Sequence, residues 1–220
     1  MLRTEEAELQ AIRETMVEEQ LRRRGITDEA VLRVMSRVPR HEFVPVGLRD
    51  EAYDDAPLPI GAGQTISQPY MVALMTAKLE LTGNERVLEV GTGCGYQTAV
   101  LAPLTREIHS VEVHDELGRA AKSRLERMGI KNVEVHTGDG SMGLLEHAPY
   151  DAILVAAAAP DVPEPLLEQL ADGGRMIVPV GKEDQQYLLL VKRNGDRFAF
   201  KPGEACRFVP LLGRYGWRNA

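Results

Sequence analysis

The sequence predicts an α/β fold, with a doubly wound, mostly parallel sheet that follows N-terminal helices and ends in an antiparallel edge hairpin. Two observations carry this prediction. Between residues 86 and 180, short apolar strands alternate with helical stretches, which favours parallel strands joined by right-handed crossovers with helices on both faces. Beyond residue 182 the alternation stops, and two strand-like runs flank Asn194–Gly195, a dipeptide typical of tight hairpin turns.

Helices and a long connection precede the sheet. Apolar residues recur at three- and four-residue steps over residues 9–21, and this helix is expected to end before Gly25. Thr27 is expected to cap a second helix with two acids in its first turn. Residues 39–63 have no period and are rich in Pro and Gly, so they predict an extended surface connection. A third helix is predicted over residues 71–79.

The strands follow in a regular order. Those predicted for the parallel part are RVLEV (86–90), EIHSVEV (107–113), NVEVH (132–136), DAILVAA (151–157) and GRMIVPV (174–180). Helical stretches are predicted between the first four strands and between the last two, and QYLLLVKR and RFAFKP form the hairpin. We therefore expect one domain, 1–220, with a helical and loop region (1–80), a core (81–181) and C-terminal strands with a tail (182–220).

Composition and charge narrow the class of protein. Apolar residues make up 44% of the 220 residues and charged residues 27%, which is typical of a folded chain with a substantial core. The 26 basic and 33 acidic residues give a net charge of −7, which argues against nucleic acid and anionic membranes as partners. No apolar run reaches the ~18 residues of a membrane helix, and the acidic start lacks signal-peptide form, so a cytoplasmic protein is expected.

Cysteine and histidine usage predicts neither disulfides nor metal. Cys94 and Cys206 are isolated thiols, which fits a reducing compartment. The five histidines do not pair with cysteines or carboxylates at zinc-ligand spacing, so no metal site is predicted. Cys94 lies in a glycine-rich turn with no activating His or Lys beside it in sequence, which favours a small residue filling the turn over a nucleophile.

A glycine-rich turn connects the first core strand to a helix. In VLEVGTGCGYQTAVLA, Gly91 and Gly93 follow the strand directly, where α/β sheets bind ligands. A dinucleotide-binding protein favours G-x-G-x-x-G, but here the sixth position is Tyr96. Glu89 lies two residues before the turn and suits a positively charged or uncharged ligand better than a diphosphate.

Acids follow the next two strands. Glu112 lies about 20 residues beyond the turn, where a carboxylate can accept hydrogen bonds from ribose hydroxyls. Asp139, or the backbone beside it, could meet an adenine edge. Alone, the turn could be structural and Glu112 a solvated strand-end carboxylate; together with Asp139 they favour a nucleoside cofactor.

The stretch AGQTISQPYMVALM, residues 62–75, has two interpretations. Its apolar residues have helical spacing after a polar start, so Thr65 and Ser67 could be the hydroxyls that start a helix or could face a substrate. Spacing alone favours Ser67 as a cap before Gln68–Pro69, because proline is tolerated in a first helical turn.

These motifs resemble one known family. The turn sequence, Glu112 in VEV, GDGSMG, YDAILVAAAAPDVPEPLLEQLADGGRMIVPVG and above all PLPIGAGQTISQPYMVA are similar to the protein-L-isoaspartate(D-aspartate) O-methyltransferases. The resemblance runs over residues 16–212. Within it the turn marks only S-adenosylmethionine-dependent methyltransferases, whereas GQTISQP is far more specific. Cys94 stands where a serine is common, and the first fifteen and last eight residues match nothing.

The resemblance implies a fold, a reaction and a set of roles. The fold is the Rossmann-like fold of methyltransferases, in which S-adenosylmethionine methylates the free α-carboxylate of isoaspartyl residues in age-damaged proteins. The ester can then close to a succinimide and reopen partly as normal aspartate. Ser67 is implied as the active-site hydroxyl. Substrate-binding positions are Gln64, Thr65, Val209 and Leu211; cofactor-binding positions are Glu89, Gly91, Thr92, Gly93, Glu112, Asp139 and Gly140. The core 81–181 would hold the cofactor, the flanking regions 1–80 and 182–220 the substrate, and the protein is expected to be a monomer.

The chemistry agrees with the residues. A carboxylate is already ionised near neutral pH, so transfer of a methyl group to it needs no general base. Ser67 would then donate a hydrogen bond that fixes the acceptor, and starting a helix would anchor Thr65 and Ser67 beside the methyl group. Three alternatives stay open at this point: a methyltransferase for a small molecule or nucleic acid, a nicotinamide-dependent oxidoreductase, disfavoured by Tyr96, and a cofactor-sensing adaptor without turnover.

Overall fold

The fold is seen in a computed structural model that describes residues 2–182 and 184–217. Residues 1, 183 and 218–220 of the expected domain lie outside the described residues. The helices are α1 (Leu2–Met16), α2 (Glu29–Met35), α3 (Pro69–Lys78), α4 (Tyr96–Leu101), α5 (Asp115–Arg127) and α6 (Glu164–Glu168). The strands are β1 (Leu58–Gly61), β2 (Gln64–Ile66), β3 (Arg86–Val90), β4 (Glu107–Glu112), β5 (Val133–Thr137), β6 (Tyr150–Val155), β7 (Leu170–Lys182), β8 (Gln185–Asn194) and β9 (Arg197–Cys206).

A seven-stranded sheet forms the centre of the structure, in the order β5-β4-β3-β6-β7-β8-β9. The five strands β3 to β7 are parallel, and β8 and β9 are antiparallel. The predicted fold class is therefore confirmed, including the edge hairpin, whose turn residue Gly195 has φ +59°. The chain moves outward from β3 through β4 to β5 and returns to the other side of β3 with β6, so the strand order reverses at β3. Ligands bind beyond the carboxyl ends of the strands at such a reversal.

Helices cover the two faces of the sheet unequally. One face packs against α1 to α5 and the other against α6 and the connection 138–149. The helical stretch predicted between β5 and β6 is wrong, because this connection forms only two short 3₁₀ turns, Gly140–Met142 and Leu145–His147. Gly143, at φ +67°, ends the first of them, and Pro149 follows the second. No helix in the described ranges has the length and apolar character needed to cross a bilayer.

The N-terminal helices form where they are predicted, but α1 begins at Leu2, earlier than the predicted stripe at residue 9, and the cap of α2 differs. α1 continues through a π turn and a 3₁₀ turn and ends at Gly25, as predicted. Thr27 is not the cap of α2. The side chain of Asp28 accepts hydrogen bonds from the amides of Ala30, at 2.9 Å, and Val31, at 3.1 Å. Asp28 occupies the N-cap position because its carboxylate reaches two amides of the first turn.

The connection 39–63 is not the extended surface segment that its sequence predicts. It contains two 3₁₀ helices, Arg40–Phe43 and Val46–Glu51, and then β1, which pairs with β2. Phe43 is 1% exposed, so part of this segment belongs to the core. The buried residues are spread over several short pieces, and no single helical or strand period connects them.

Arg40 anchors this connection to the sheet domain. Its side chain is fully buried, donates from Nε to the carbonyl of Ala52 at 2.7 Å and lies 4.9 Å from the ring centre of Tyr96 on α4. Burial lowers the pKa of the guanidinium. An arginine in the middle of a polar stretch gives no sequence signal of burial, since arginine is almost never fully buried without partners.

Candidate active site

A cleft lies beyond the carboxyl ends of β3 and β4, at the reversal of strand order. Its volume is about 830 Å³ with the open mouth included. It collects residues from β2, the glycine turn, the end of β4, the start of the connection 138–149 and the C-terminal tail. Predicted site residues in its wall are Gln64, Thr65, Ser67, Gly91, Thr92, Gly93, Glu112, Gly140, Val209 and Leu211.

The glycine turn forms the floor of the cleft. Gly91, at φ +94°, and Gly93, at φ +54°, have the left-handed backbone that favours glycine. A Cβ on Gly93 would stand 3.2 Å from the end of the Ile60 side chain. The turn therefore keeps its backbone open to close approach by a ligand.

Glu112 joins the end of β4 to this turn. One carboxylate oxygen accepts a hydrogen bond from the amide of Gly93 at 2.7 Å, and the other accepts one from the amide of His114 at 2.9 Å. The residue is 4% exposed and lines the cleft. Two carboxylate oxygens offer about four acceptor positions, so each can still accept a ligand hydroxyl. This is the arrangement expected of a ribose-binding carboxylate.

Glu89 takes a different place. It is fully buried, is absent from the cleft wall, and one oxygen accepts hydrogen bonds from the hydroxyls of Thr98 and Ser110, both at 2.6 Å. Its Oε1 atom has no partner among the described residues. Burial raises its pKa to about 7. Ser110 also bonds to Thr92 at 2.6 Å, so the structure places Glu89 as a support beneath the turn, and its direct contact with a cofactor stays a prediction.

Asp139 and Gly140 are neighbours in sequence but have different roles in the structure. Gly140 lines the cleft, and a Cβ there would stand 2.6 Å from Val90 Cγ1 on β3, so only glycine fits this close to the sheet. The Asp139 carboxylate is absent from the wall and accepts hydrogen bonds from the amide of Ser141 at 2.9 Å and that of Arg214 at 2.7 Å. Asp139 thus holds the C-terminal tail beside the cleft.

The hydroxyls of Thr65 and Ser67 do not initiate α3, contrary to the sequence-based expectation. The N-cap position is Gln68, with φ −57° and ψ 148°, and no side chain caps the first turn. Pro69 excludes the α conformation of the residue before it, so the helix begins at Pro69 and Ser67 lies one residue too early. Thr65 is exposed on β2, and Ser67 is partly exposed in the cleft wall. Ser67 is thus not used as a cap and faces the cleft.

The C-terminal tail closes one side of the cleft. Ala158, which follows β6, donates from its amide to the carbonyl of Val209 and accepts from the amide of Leu211, both at 2.8 Å. The indole of Trp217 donates to the carbonyl of Ala158 at 3.0 Å. Backbone pairing therefore fixes Val209 and Leu211 in the wall where the sequence placed them.

A second, wider cleft of about 1370 Å³ adjoins the first. The two share Thr65 and the tail residues Phe208, Val209 and Pro210. Sequence reasoning missed most of the lining of the second cleft, including Gln68, Met71, Arg207 and Trp217. The sequence did offer one signal for these residues. Several of them lie in or beside GQTISQP (63–69) and RFVPLLG (207–213), the stretches that contain the predicted substrate-binding residues. The pair of clefts offers room for a small ligand in one and an extended chain in the other.

Cys94 is not a nucleophile in this arrangement. The thiol is buried, and burial raises its pKa. Its carbonyl accepts a hydrogen bond from Arg124 at 2.7 Å, which ties the turn to α5. Cys94 and Cys206 are both free thiols.

Comparison with known proteins identifies the family. Residues 11–216 match the family described as Protein-L-isoaspartate(D-aspartate) O-methyltransferase. The chain belongs to this family. A relative called Protein-L-isoaspartate O-methyltransferase 2, from Pelobacter propionicus, is 55% identical over 208 residues, which are 93% of this chain and 92% of the relative. A Protein-L-isoaspartate O-methyltransferase from Methanoculleus marisnigri is 52% identical over 208 residues, 94% of each chain.

Solved structures agree. One called protein-L-isoaspartate O-methyltransferase has a TM-score of 0.82 and 32% identity, and covers 93% of this chain and 67% of its own. Another, from Plasmodium falciparum and described as a complex of such an enzyme with S-adenosyl-L-homocysteine, has a TM-score of 0.79 and 26% identity, with 91% and 98% coverage. The structural match therefore extends over most of this chain and not only over the sheet.

Membership in the protein-L-isoaspartate O-methyltransferases gives the reaction. The chain is an S-adenosylmethionine-dependent enzyme that methylates the α-carboxylate of isoaspartyl residues in proteins and thereby begins their repair. The relatives do not favour a small-molecule methyltransferase or a nicotinamide oxidoreductase. The cleft fits the cofactor, because the open backbone of Gly91 and Gly93 and the acceptor positions of Glu112 suit a nucleoside.

Proposed function

We propose that Ser67 is the residue that positions the isoaspartyl carboxylate for methylation. The observation that supports this role is its place in the walls of the cofactor cleft and of a small neighbouring cavity lined by Thr65, Gln68 and Arg207. A substrate carboxylate held at Ser67 would therefore face the cofactor cleft on one side. On its other side it would face the neighbouring cavity, where the peptide would lie. Arg207 lies on the peptide side and adds a positive charge to a wall that receives an anionic substrate.

Each part of the cleft has its own task in methyl transfer. S-adenosylmethionine supplies an electrophilic methyl group when bound. The turn and Glu112 orient the nucleoside, and the Ser67 hydroxyl donates a hydrogen bond to the acceptor carboxylate, which is ionised and needs no base. Val209 and Leu211 supply apolar wall that keeps water from the reacting oxygen. Holding the two reactants in line can contribute up to ~7–11 kcal/mol in favourable systems.

The first experiment tests the role of Ser67. The wild type is incubated with labelled S-adenosylmethionine and a matched pair of peptides that differ only in an isoaspartyl or aspartyl linkage, and only the isoaspartyl peptide should take label. Ser67→Ala should lower kcat/KM for that peptide roughly 10- to 100-fold, because a hydrogen bond to a charged group is worth about 1.5–3 kcal/mol. Ser123→Ala, at an exposed serine of α5, is the matched control. Equal turnover in the two variants would contradict the role.

We also propose that the protein acts as a cytoplasmic monomer that does not bind nucleic acid. The net charge of −7 supports the absence of nucleic-acid binding. The large exposed apolar side chains of the described residues lie on several different elements, among them Ile12 on α1, Val46 in the second 3₁₀ helix of the connection 39–63 and Leu145 in the connection 138–149. Light scattering after gel filtration would give the mass of a single 24.3 kDa chain.

A further inference from the structure

Three histidines and one glutamate converge on the sheet face that α6 and the connection 138–149 cover. His109 lies on β4, Glu134 and His136 on β5, and His147 in the second 3₁₀ turn of the connection. One possible ligand atom from each of the four lies within 4.8 Å of the others. None of the four lines the cofactor cleft. Sequence spacing does not reveal this cluster, because the pairing of β4 with β5 brings His109 beside Glu134 and His136, and His147 joins them from the following connection.

The distances between these atoms suit a tetrahedral ion. Zinc bonded to nitrogen at 2.0–2.1 Å holds two tetrahedral ligands about 3.3–3.4 Å apart. His109 Nδ1 and His136 Nε2 are 3.3 Å apart. Glu134 Oε2 lies 3.6 Å from the former and 3.9 Å from the latter. The Glu134 side chain is 61% exposed and can rotate toward both nitrogens.

His147 completes the set. Its ring is stacked on that of His109, with centroids 4.0 Å apart and an interplanar angle of 21°, and lies 5.5 Å from the ring of His136. The side chain is partly exposed, and one of its ring nitrogens lies within 4.8 Å of the ligand atoms of the other three residues. Three imidazoles and a carboxylate form a complete four-coordinate shell without an open position.

Charged groups of both signs surround the cluster. The side chains of His109 and His136 are only 9% and 19% exposed, and an imidazole in its neutral form keeps a lone pair for a metal. The carboxylates of Glu107, Glu134 and Glu146 and the ammonium group of Lys122 act on the two rings. Glu107 is also paired with Arg86, whose guanidinium donates to the carbonyl of His147 at 3.3 Å.

We propose that His109, Glu134, His136 and His147 form a binding site for one divalent transition-metal ion, with zinc as the best fit. Imidazole and carboxylate ligands suit zinc, and a shell closed by four protein ligands is typical of structural sites. Binding ties the connection 138–149 to β4 and β5 through His147. The same connection presents Gly140 to the cofactor cleft, so the ion stabilises a segment that the enzyme uses.

The test uses the full-length, untagged protein after removal of metals with a chelator. Calorimetric titration with Zn²⁺ should show one equivalent bound and a raised midpoint of thermal unfolding. Co²⁺ in its place should give the absorption spectrum of a tetrahedral site. The double variant His136→Gln, His147→Gln should bind Zn²⁺ about 10-fold or more weakly, since even ligand-supporting residues contribute 10- to 100-fold, and should lose the thermal shift.

Two further variants make the result decisive. Glu116→Gln removes an exposed carboxylate outside the cluster, and Cys206→Ser removes a free thiol; each should bind Zn²⁺ as the wild type does. If the double variant does not fold, Glu134→Gln at the exposed ligand should fold and weaken binding. Absence of saturable binding, or equal affinity in the cluster variants and the controls, would overturn the proposal.

Discussion

At the scale of single residues, Glu112 both holds the glycine turn and faces the cleft. Glu112→Gln replaces one acceptor oxygen by an NH₂ group and so removes a hydrogen bond to the amide of Gly93 or His114. It also weakens acceptance from ligand hydroxyls. We expect the KM for S-adenosylmethionine to rise roughly 10- to 100-fold, as charge-assisted hydrogen bonds are worth about 1.5–3 kcal/mol, while the KM for the isoaspartyl peptide changes much less.

The control for this variant is Glu116→Gln, which removes the same charge from an exposed position on α5. Calorimetry with S-adenosyl-L-homocysteine separates binding from turnover. If Glu112→Gln raised both KM values equally, the carboxylate would support the folding of the whole site and not cofactor binding in particular.

Single residues also show what the sequence could predict. Glu112 and Glu89 are both acids near a glycine turn, and their positions along the chain indicate a cofactor site. The sequence cannot tell that strand alternation turns Glu89 beneath the turn, toward Thr98 and Ser110, whereas Glu112 reaches the cleft at the end of its strand. Side chains alternate between the two faces of a strand, so their directions near its end can be predicted only if that end is known to within one residue.

At the scale of elements, the C-terminal tail connects the cofactor cleft with the second, wider cleft. The amides of Arg214 and Tyr215 donate to Asp139 at 2.7 Å and to Ser141 at 3.0 Å. Gly213 makes this approach possible, since a Cβ there would stand 1.9 Å from an Asp139 oxygen. Its φ of +147° also disfavours a side chain.

Gly213→Ala should therefore detach the tail. We expect the KM for the peptide to rise several-fold, with a smaller rise for S-adenosylmethionine, because the tail lines both clefts. The fluorescence of Trp217, the only tryptophan of the chain, should change at the same time as its environment opens.

Gly195→Ala is the matched control for the tail. This hairpin glycine also has positive φ, at +59°, but a Cβ there meets no atom within 4 Å. It imposes backbone strain without touching the clefts. If both variants change the KM values and the fluorescence alike, strain and not tail docking is the cause.

Elements differ in how far the sequence predicts them. The strands β3 to β8 follow from short runs rich in apolar residues separated by turn residues, β9 follows from the Asn194–Gly195 turn before it, and the helices α1 and α3 follow from clear periods. The connection 39–63 does not, because its buried residues are divided among short 3₁₀ turns. The helix predicted after β5 is interrupted by glycines that the apolar count ignores.

At the scale of the whole molecule, contacts between distant segments decide the site. The bond from Arg214 to Asp139 and the histidine cluster both depend on the strand order β5-β4-β3-β6, which a sequence pattern does not fix. The family resemblance supplied residue roles that spacing could not. It carried no information on the histidines, which lie outside the motifs.

The free energy of unfolding should depend on pH because one acid, Glu89, is fully buried. The pKa of Glu89 is raised from 4.5 to about 7, so between these values the folded protein binds more protons than the unfolded chain. Its contribution to the free energy of unfolding is therefore fully present below pH 4.5 and is lost as the pH rises through about 7. By linkage the loss is on the order of 3 kcal/mol.

Glu89→Gln, whose amide stays neutral, should remove this dependence. Relative to the wild type, the variant should gain up to about 3 kcal/mol in free energy of unfolding between pH 5 and pH 8, although it loses part of the hydrogen bonding to Thr98 and Ser110 at every pH. Urea unfolding at a series of pH values measures the difference, and Glu116→Gln shows the effect of removing an exposed acid. A wild-type-minus-variant difference that stays constant with pH would mean that Glu89 is ionised in the folded protein throughout this range, with its charge balanced beneath the turn.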